Sequence, residues 1–409
     1  MKNELRTTCC IVGGGPAGMM LGFLLARAGI ETIVLEKHAD FFRDFRGDTI
    51  HPSTFNIMAE LGLLDAFLKI KHDEEKEVGF SFNGTIYPMA DFSHLPVAHK
   101  VLGFMPQWDF LNFLLENAKQ YSCFQLMVNA EATGVIEKDN KITGVNVKTE
   151  NGELTIHASL IIAADGRKSS IRNSAGLIPT ELGAPMDVLW FRLSKQENDP
   201  KQPLLRLNSD NVFISISRGD YYQCGYVIAK GSMDDLKNKG LPNFRNIIAS
   251  ILPFAKERMT EIKSWDDISL LSVSVSRLTK WYKDGLLCIG DAAHTMSPIG
   301  GVGINLAIQD AVAAANILYR PLTNNSLTIA YLKRVQQRRQ FPASIIQRLQ
   351  VLIQNKFITP AIQAKNKHHS IPVFVKILQC FPILKRIPAR LIGMGIRMEH
   401  IQTPNVKAN

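Results

Sequence analysis

Residues 7–37, TTCCIVGGGPAGMMLGFLLARAGIETIVLEK, constrain the fold more than any other part of the chain. The first six are a short β-branched and apolar run, the pattern of a buried strand in a parallel sheet. Gly13-Gly14-Gly15-Pro16-Ala17-Gly18 follows at once, and apolar residues then recur at helical spacing over 16–28 until Gly29 marks the stop. Residues 31–35 read as a second strand, which makes the whole a βαβ unit. In such a unit Gly13 permits the tight turn, Gly15 lets a diphosphate approach the backbone, and Gly18 allows close packing of helix on strand. The helix starts at Pro16 and Ala17, and its free N–H groups attract the anion. Glu36 ends the second strand 23 residues after Gly13, with Lys37 beside it. A carboxylate at that place accepts hydrogen bonds from the ribose hydroxyls of an adenosine. It would repel a 2′-phosphate, so FAD or NAD fits here better than NADP.

Composition is permissive. The 409 residues, 46% hydrophobic and 21% charged, suit a globular chain of two or three domains. Its six cysteines include no CxxC and no cluster with His at zinc spacing, so neither a disulfide framework nor a metal site is expected, and reducing cytoplasm is the simplest compartment. No secretion signal is read at the N-terminus, and the longest apolar stretches are broken by Gly, Pro or charge well short of about 18 residues, so no transmembrane helix is expected.

The formal net charge of +10 lies largely towards the C-terminus. Residues 326–358 carry a helical pattern with Arg338 and Arg339, interrupted at Pro342, and residues 371–400 form an apolar, basic run chopped by Pro372, Pro382 and Pro388. One reading is a pair of short helices capping the core with a solvated basic face. The other is peripheral attachment to anionic lipid at the inner membrane face. Nucleic acid is not an expected partner, because no binding motif is present and aromatic residues do not interleave with the charges.

Two later segments extend the nucleotide site. LIIAADGRKSSIR, residues 160–172, runs from an apolar strand into the Asp165-Gly166 turn. GLLCIGDAAHTMSPIGGVGINL, residues 285–306, is again a strand, an acid, a glycine-rich loop and a helix start. Asp291 at a strand end can accept a hydrogen bond from a ribityl hydroxyl, and the helix after Gly303 points its N-terminus at an incoming anion. Free backbone N–H groups around Gly301, Gly303, Ile304 and Asn305 would stabilise the negative N1–C2=O2 edge of a reduced flavin. His294 lies in this loop, and it reads as a packed, hydrogen-bonded histidine rather than a base.

These residues resemble the single-component FAD-dependent aromatic hydroxylases, the group of para-hydroxybenzoate hydroxylase. GGGPAG with Glu36 resembles that family's adenosine site, AADGRKSSIR its Asp-Gly motif, and GDAAHTMSPIGGVGINLAIQDA its Gly-Asp motif. The resemblance implies an α/β fold in which a Rossmann-like FAD domain of the glutathione-reductase type carries an antiparallel β-sheet substrate domain and C-terminal helices. The expected bounds are 1–77, 104–177 and 281–360 for the FAD domain, 78–103 and 178–280 for the sheet domain, and 361–409 for the C-terminal segment. It further implies that Arg46 lies over the flavin, that Gln107 reaches the ribityl-phosphate region and that the Ala132 backbone meets the adenine. The Pro298 carbonyl would lie beside the reaction centre, which makes Arg46 and Pro298 the expected catalytic positions. No second GxGxxG unit exists, so NADH or NADPH is expected as a transient co-substrate. The implied cycle is hydride transfer to flavin, formation of a C4a-hydroperoxide with O2, and oxygen delivery to an electron-rich aromatic ring.

Residues 178–280 alternate in the manner of antiparallel strands: DVLWFRLS, LLRLNS, NVFISIS, YYQCGYVIAK and LLSVSVSRL. Residues 78–103 share that character and are expected to join the same sheet. Trp190, Phe191, Tyr222 and Tyr226 are candidate pocket residues, although neighbours on a strand face opposite ways. The substrate expected is a phenolic or quinone-like small molecule, and the apolar, basic C-terminus suits a lipophilic one. Two alternatives stand beside this. One is antibiotic or polyketide modification, or halogenation, on the same scaffold, although the halogenase pattern WxWxIP is absent. The other is a flavin-containing binding protein that does not oxygenate. Val302, where many relatives of this kind carry Gln or Lys, marks a substrate-specific subgroup.

Overall fold

The computed structural model describes residues 3–42, 49–199, 205–207, 211–363 and 373–407. Five parallel strands form the centre of an eight-stranded sheet, in the order Leu286–Cys288, Gly152–Ala163, Asn3–Val12, Thr32–Leu35 and Phe124–Met127. Residues 9–12 and 160–163 are buried throughout, as a parallel strand covered on both faces requires. Glu131–Lys138 and Lys141–Thr149 extend the sheet with antiparallel pairings. Helix Pro16–Arg27 packs on it and touches helices Gln107–Ala118 and Gly303–Thr323.

A second sheet of seven strands runs Ser269–Ser272, Met186–Ser194, Tyr221–Ala229, Val212–Ser217, Leu205–Leu207, Glu77–Phe82 and Thr85–Asp91. Its pairings are antiparallel except that of Leu205–Leu207 with Glu77–Phe82. The stretch LLSVSVSRL does not stay in one sheet. Its first part pairs here, while Ser276–Leu278 joins Pro179–Glu181 and His294–Thr295 in a separate three-stranded sheet. The break falls at Val273, whose N–H donates to Asp187 Oδ1 (3.0 Å) and whose carbonyl accepts from Lys230 Nζ (2.6 Å). Backbone groups satisfied by side chains are lost to the ladder.

Pro342 does not interrupt its helix. Ile329–Ile353 runs through it into a π turn, Gln354–Ile358. A proline inside a helix costs about 3 kcal/mol, and here the helix is pinned on both sides of it. Gln336 accepts from the Trp281 N–H (3.0 Å) and donates to the Thr279 carbonyl (2.8 Å), while Gln347 donates to the carbonyls of Ser276 and Thr295 (both 2.9 Å). One stretch among the described residues, Ile299–Thr323, is long and apolar enough to cross a membrane, against the expectation of none. It is a core helix, with 72% of its most apolar window buried in the fold.

Candidate flavin site

The register of the first sheet places Val12 beside both Leu35 and Ala163, and Ala163 beside Cys288. Parallel strands in register end together, so the Gly13–Gly18 turn, Glu36, Asp165 and Asp291 all leave the sheet at its carboxyl edge, where open α/β sheets bind ligands. The three segments also touch. Gly290 lies at φ +57°, and a β-carbon there would come within 3.2 Å of Ala17 and 3.3 Å of Ala307. Arg172, buried, donates to the Ala292 carbonyl (3.3 Å) and to the Arg167 carbonyl (3.0 Å), tying the Asp-Gly segment to the Gly-Asp loop.

Within the first turn the glycines do different work. Gly13 holds φ +109° against the Ala164 carbonyl, and a β-carbon on Gly18 would collide with the Gly13 carbonyl. A β-carbon on Gly15 would meet nothing within 4 Å, so the space above it is open. Gly15 also caps helix Pro16–Arg27 without a side-chain hydrogen bond, and the first turn holds no acid. The Glu36 carboxylate accepts from the Gly14 N–H (3.1 Å) and the His38 N–H (3.1 Å), which fixes it over the turn, while Lys37 is exposed. Gln107 is the first residue of its helix. The Ala132 carbonyl is taken by Ser170 Oγ at 2.9 Å. Arg46 lies outside the described residues.

Asp165 accepts through Oδ2 from Ser170 Oγ (3.3 Å) and from the Ile171 N–H (3.2 Å), while its buried Oδ1 has no partner among the described residues. Asp291 sits half-buried in the turn Gly290–Ala292, and Pro298 leads the turn Ile299–Gly301. Gly303–Thr323 begins without a side-chain cap or an acid in its first turn, leaving the Gly303, Ile304 and Asn305 N–H groups without helical acceptors. The Asn305 side chain is committed elsewhere. Its Oδ1 accepts from the His51 N–H (2.9 Å) and Thr54 Oγ1 (2.7 Å), and its Nδ2 donates to the Thr49 carbonyl (3.0 Å), so only its backbone faces the site chemistry.

Sequence reasoning missed what holds the Pro298 loop. Gln350 accepts from the Ser297 N–H (3.1 Å) and donates to the carbonyls of Ser297 (2.9 Å) and Ile299 (2.8 Å); Gln354 donates to Ser297 Oγ (2.7 Å). Both glutamines are buried. The available signal was their spacing: residues 347, 350 and 354 share one face of a helix. His294 is fixed in the same way. Its Nε2 lies 2.6 Å from Asp310 Oδ2, and Asp310 Oδ1 accepts from Arg339 Nε at 2.9 Å, all three side chains being buried. Burial alone would raise the Asp310 carboxyl, but the charge and hydrogen bond of His294, and then of Arg339, hold it below the usual carboxylate range.

Of the four expected pocket residues, the structure sets only Trp190 on the face turned to this loop. It packs in a cluster with Val188, Leu102 and Phe104, against which Ile299 rests. Phe191, Tyr222 and Tyr226 stand on the opposite face, in a second cluster under helix Leu241–Ile251, where the Phe191 and Phe244 rings meet edge-on at 5.5 Å. Strand alternation separates them, and a helix claims the far side.

FAD is the group these features imply, and the residues present fit it. An open glycine cradle, an unpartnered buried carboxylate oxygen and two uncapped helix N-termini meet at one edge of the sheet.

The FAD binding domain family matches residues 6–349. The chain is 31% identical over 349 residues to 6-methylpretetramide 4-monooxygenase of Streptomyces rimosus, which covers 85% of this chain and 83% of that protein. Rifampicin monooxygenase of Streptomyces venezuelae is 26% identical over 306 residues, 74% of this chain and 61% of that one. Among solved structures, an anhydrotetracycline hydroxylase from Streptomyces rimosus superposes with a TM-score of 0.76 at 21% identity, over 95% of this chain and 76% of the other. Three motifs that converge on one sheet edge, and similarity that runs through all of them, lead to one conclusion: the chain belongs to the FAD binding domain family and is an FAD-dependent aromatic monooxygenase.

Proposed function

We propose that the chain hydroxylates a polyketide-like or phenolic aromatic molecule, with NADH or NADPH as reductant and O2 as the source of the oxygen atom. The observation that carries this reading is the apolar face around Trp190, which runs up to Ile299, the residue after Pro298. The Trp190 Nε1–H is buried without a partner among the described residues, and offers a donor to a substrate oxygen on an otherwise apolar floor. A relative 31% identical is named for oxidation of 6-methylpretetramide, which supports the substrate class.

When bound, FAD supplies hydride acceptance from the nicotinamide and activation of O2. The protein's part is to bind, orient and exclude water. Gly15 admits the diphosphate, Glu36 and Asp165 take sugar hydroxyls, and the N-terminus of Gly303–Thr323 stabilises negative charge on the ring. Arg46 is proposed as a further contact over the flavin. His294 is held between Asp310 and the Trp281 ring.

The test is turnover of the purified yellow protein with a panel of polycyclic phenols under 18O2. Ligand-stimulated oxidation of NADH or NADPH with one labelled oxygen in the product is expected. Ligand binding with no labelled product would overturn the reading in favour of a non-oxygenating flavoprotein.

A further inference from the structure

The C-terminal helices turn an apolar face outward. In Val373–Cys380 the inner residues Val375 and Leu378 are buried, and Gln379 donates to the Pro88 carbonyl at 2.9 Å, so the helix is seated on the strand Thr85–Asp91. The helix Arg386–Gly393 is seated there too, through buried Ala389 and Gly393, and a β-carbon on Gly393 would press on Leu95 at 2.7 Å. The residues left outside are large and apolar: Val373 is 72% exposed, Phe381 60%, Ile383 64% and Ile387 66%. Val373–Cys380 and Arg386–Gly393 both pack against the turn Pro382–Lys385 between them, and exposed large apolar side chains gathered on neighbouring elements mark an interaction surface.

Charge says what the face meets. Residues 326–409 hold fourteen Lys and Arg against one acid, Glu399, while the whole chain carries only +10. Glu399 is buried and spent on Arg338 (2.7 Å) and Arg339 (3.2 Å). Lys385 is paired with Glu77 at 3.3 Å, and Asp91 feels Arg386. Lys356, Lys376 and Arg390 are exposed and make no ion pair among the described residues. Exposed apolar side chains flanked by unpaired cations match the chemistry of an anionic bilayer, whose interior takes the first and whose headgroups take the second. A second copy of this chain would bring like charges together.

We propose that this face docks the enzyme on an anionic lipid surface. The docking is independent of the oxidation chemistry, so binding and turnover can fail separately. The test is co-sedimentation of the FAD-loaded protein with vesicles of phosphatidylcholine alone, or of equal parts phosphatidylcholine and phosphatidylglycerol. Binding to the mixed vesicles that weakens with added salt is expected. It should fall on the order of tenfold in the combined variant Phe381→Ser, Ile383→Ser, Ile387→Ser, and again in Lys376→Glu with Arg390→Glu, with the flavin spectrum unchanged in both. Equal sedimentation with both vesicle types, or variants that bind like the wild type, would overturn the proposal. So would a concentration-dependent dimer, lost in the triple serine variant, with no vesicle binding.

Discussion

Trp190 stands directly across a strand pair from Gly225, and a β-carbon at Gly225 would come within 2.9 Å of the indole ring. The glycine therefore shapes the floor by leaving room for the aromatic ring. Gly225→Ala is expected to overpack this contact at a cost of about 1–3 kcal/mol and to displace Trp190. KM for the aromatic substrate should rise while flavin absorbance persists. Phe191→Leu, on the opposite face, is the control: it should lower the thermal midpoint and leave KM alone. Equal KM changes in both variants would remove Trp190 from the pocket.

Gly15 and Gly18 sit three residues apart and should fail differently. A methyl at Gly15 meets open space in the protein, so Gly15→Ala is expected to keep apoprotein stability but to weaken FAD binding tenfold or more, about 1.4 kcal/mol. A methyl at Gly18 collides with the Gly13 carbonyl, so Gly18→Ala should destabilise the apoprotein itself. Flavin titration and thermal denaturation of each apoprotein distinguish the two. Identical behaviour would mean that Gly15 does not face the cofactor.

Gln350 is a positioning residue for the loop that carries Pro298. Gln350→Leu leaves the buried Ser297 N–H and the carbonyls of Ser297 and Ile299 without their partner, at a cost of about 1–3 kcal/mol for each unmet group. Lower stability and a reduced kcat with FAD retained are expected. Gln350→Glu can still accept from the Ser297 N–H but cannot donate, so it should recover only part of kcat. Unchanged turnover in both variants would show that the loop holds its place without the clamp.

The motifs legible in the sequence are those whose chemistry is local. A glycine that must avoid a clash, an acid at a strand end and an uncapped helix start each need only a few neighbouring residues, and Gly13, Gly15, Gly18, Glu36, Asp165 and Asp291 all lie at one sheet edge as their pattern required. What the sequence hid depends on partners far along the chain. Pro342 reads as a helix breaker until Gln336 and Gln347 are seen to anchor the helix on either side. Phe191, Tyr222 and Tyr226 read as pocket residues until helix Leu241–Ile251 covers their face. Asp310, Arg339 and Glu399 form one buried ionic chain with His294, but they lie up to 105 residues apart, and no local pattern connects them.

His51 links the loop, the core helix and the C-terminus, and it carries a pH signature. Its Nδ1 donates to the Ile392 carbonyl at 2.7 Å, and burial pushes the imidazole down to about 4 from an ordinary 6.5, against the opposing pull of the Ile392, Gly300 and Gly301 backbone. Above pH 6.5 the ring is neutral in the folded and unfolded chains alike, and the contribution of His51 is complete. As pH falls below that, the unfolded chain takes up a proton that the folded one refuses, so stability declines until the folded ring protonates near pH 4. The full shift corresponds to about 3 kcal/mol. Asn at this position keeps an amide donor for the Ile392 carbonyl but does not titrate. Urea denaturation of His51→Asn at pH 7 and at pH 5 should therefore show a smaller acid loss than the wild type. An equal loss in both proteins would place the acid sensitivity elsewhere, and not in Asp310, whose carboxyl is held below its ordinary 3.8 and gives up its stabilisation only below that pH, outside the interval measured.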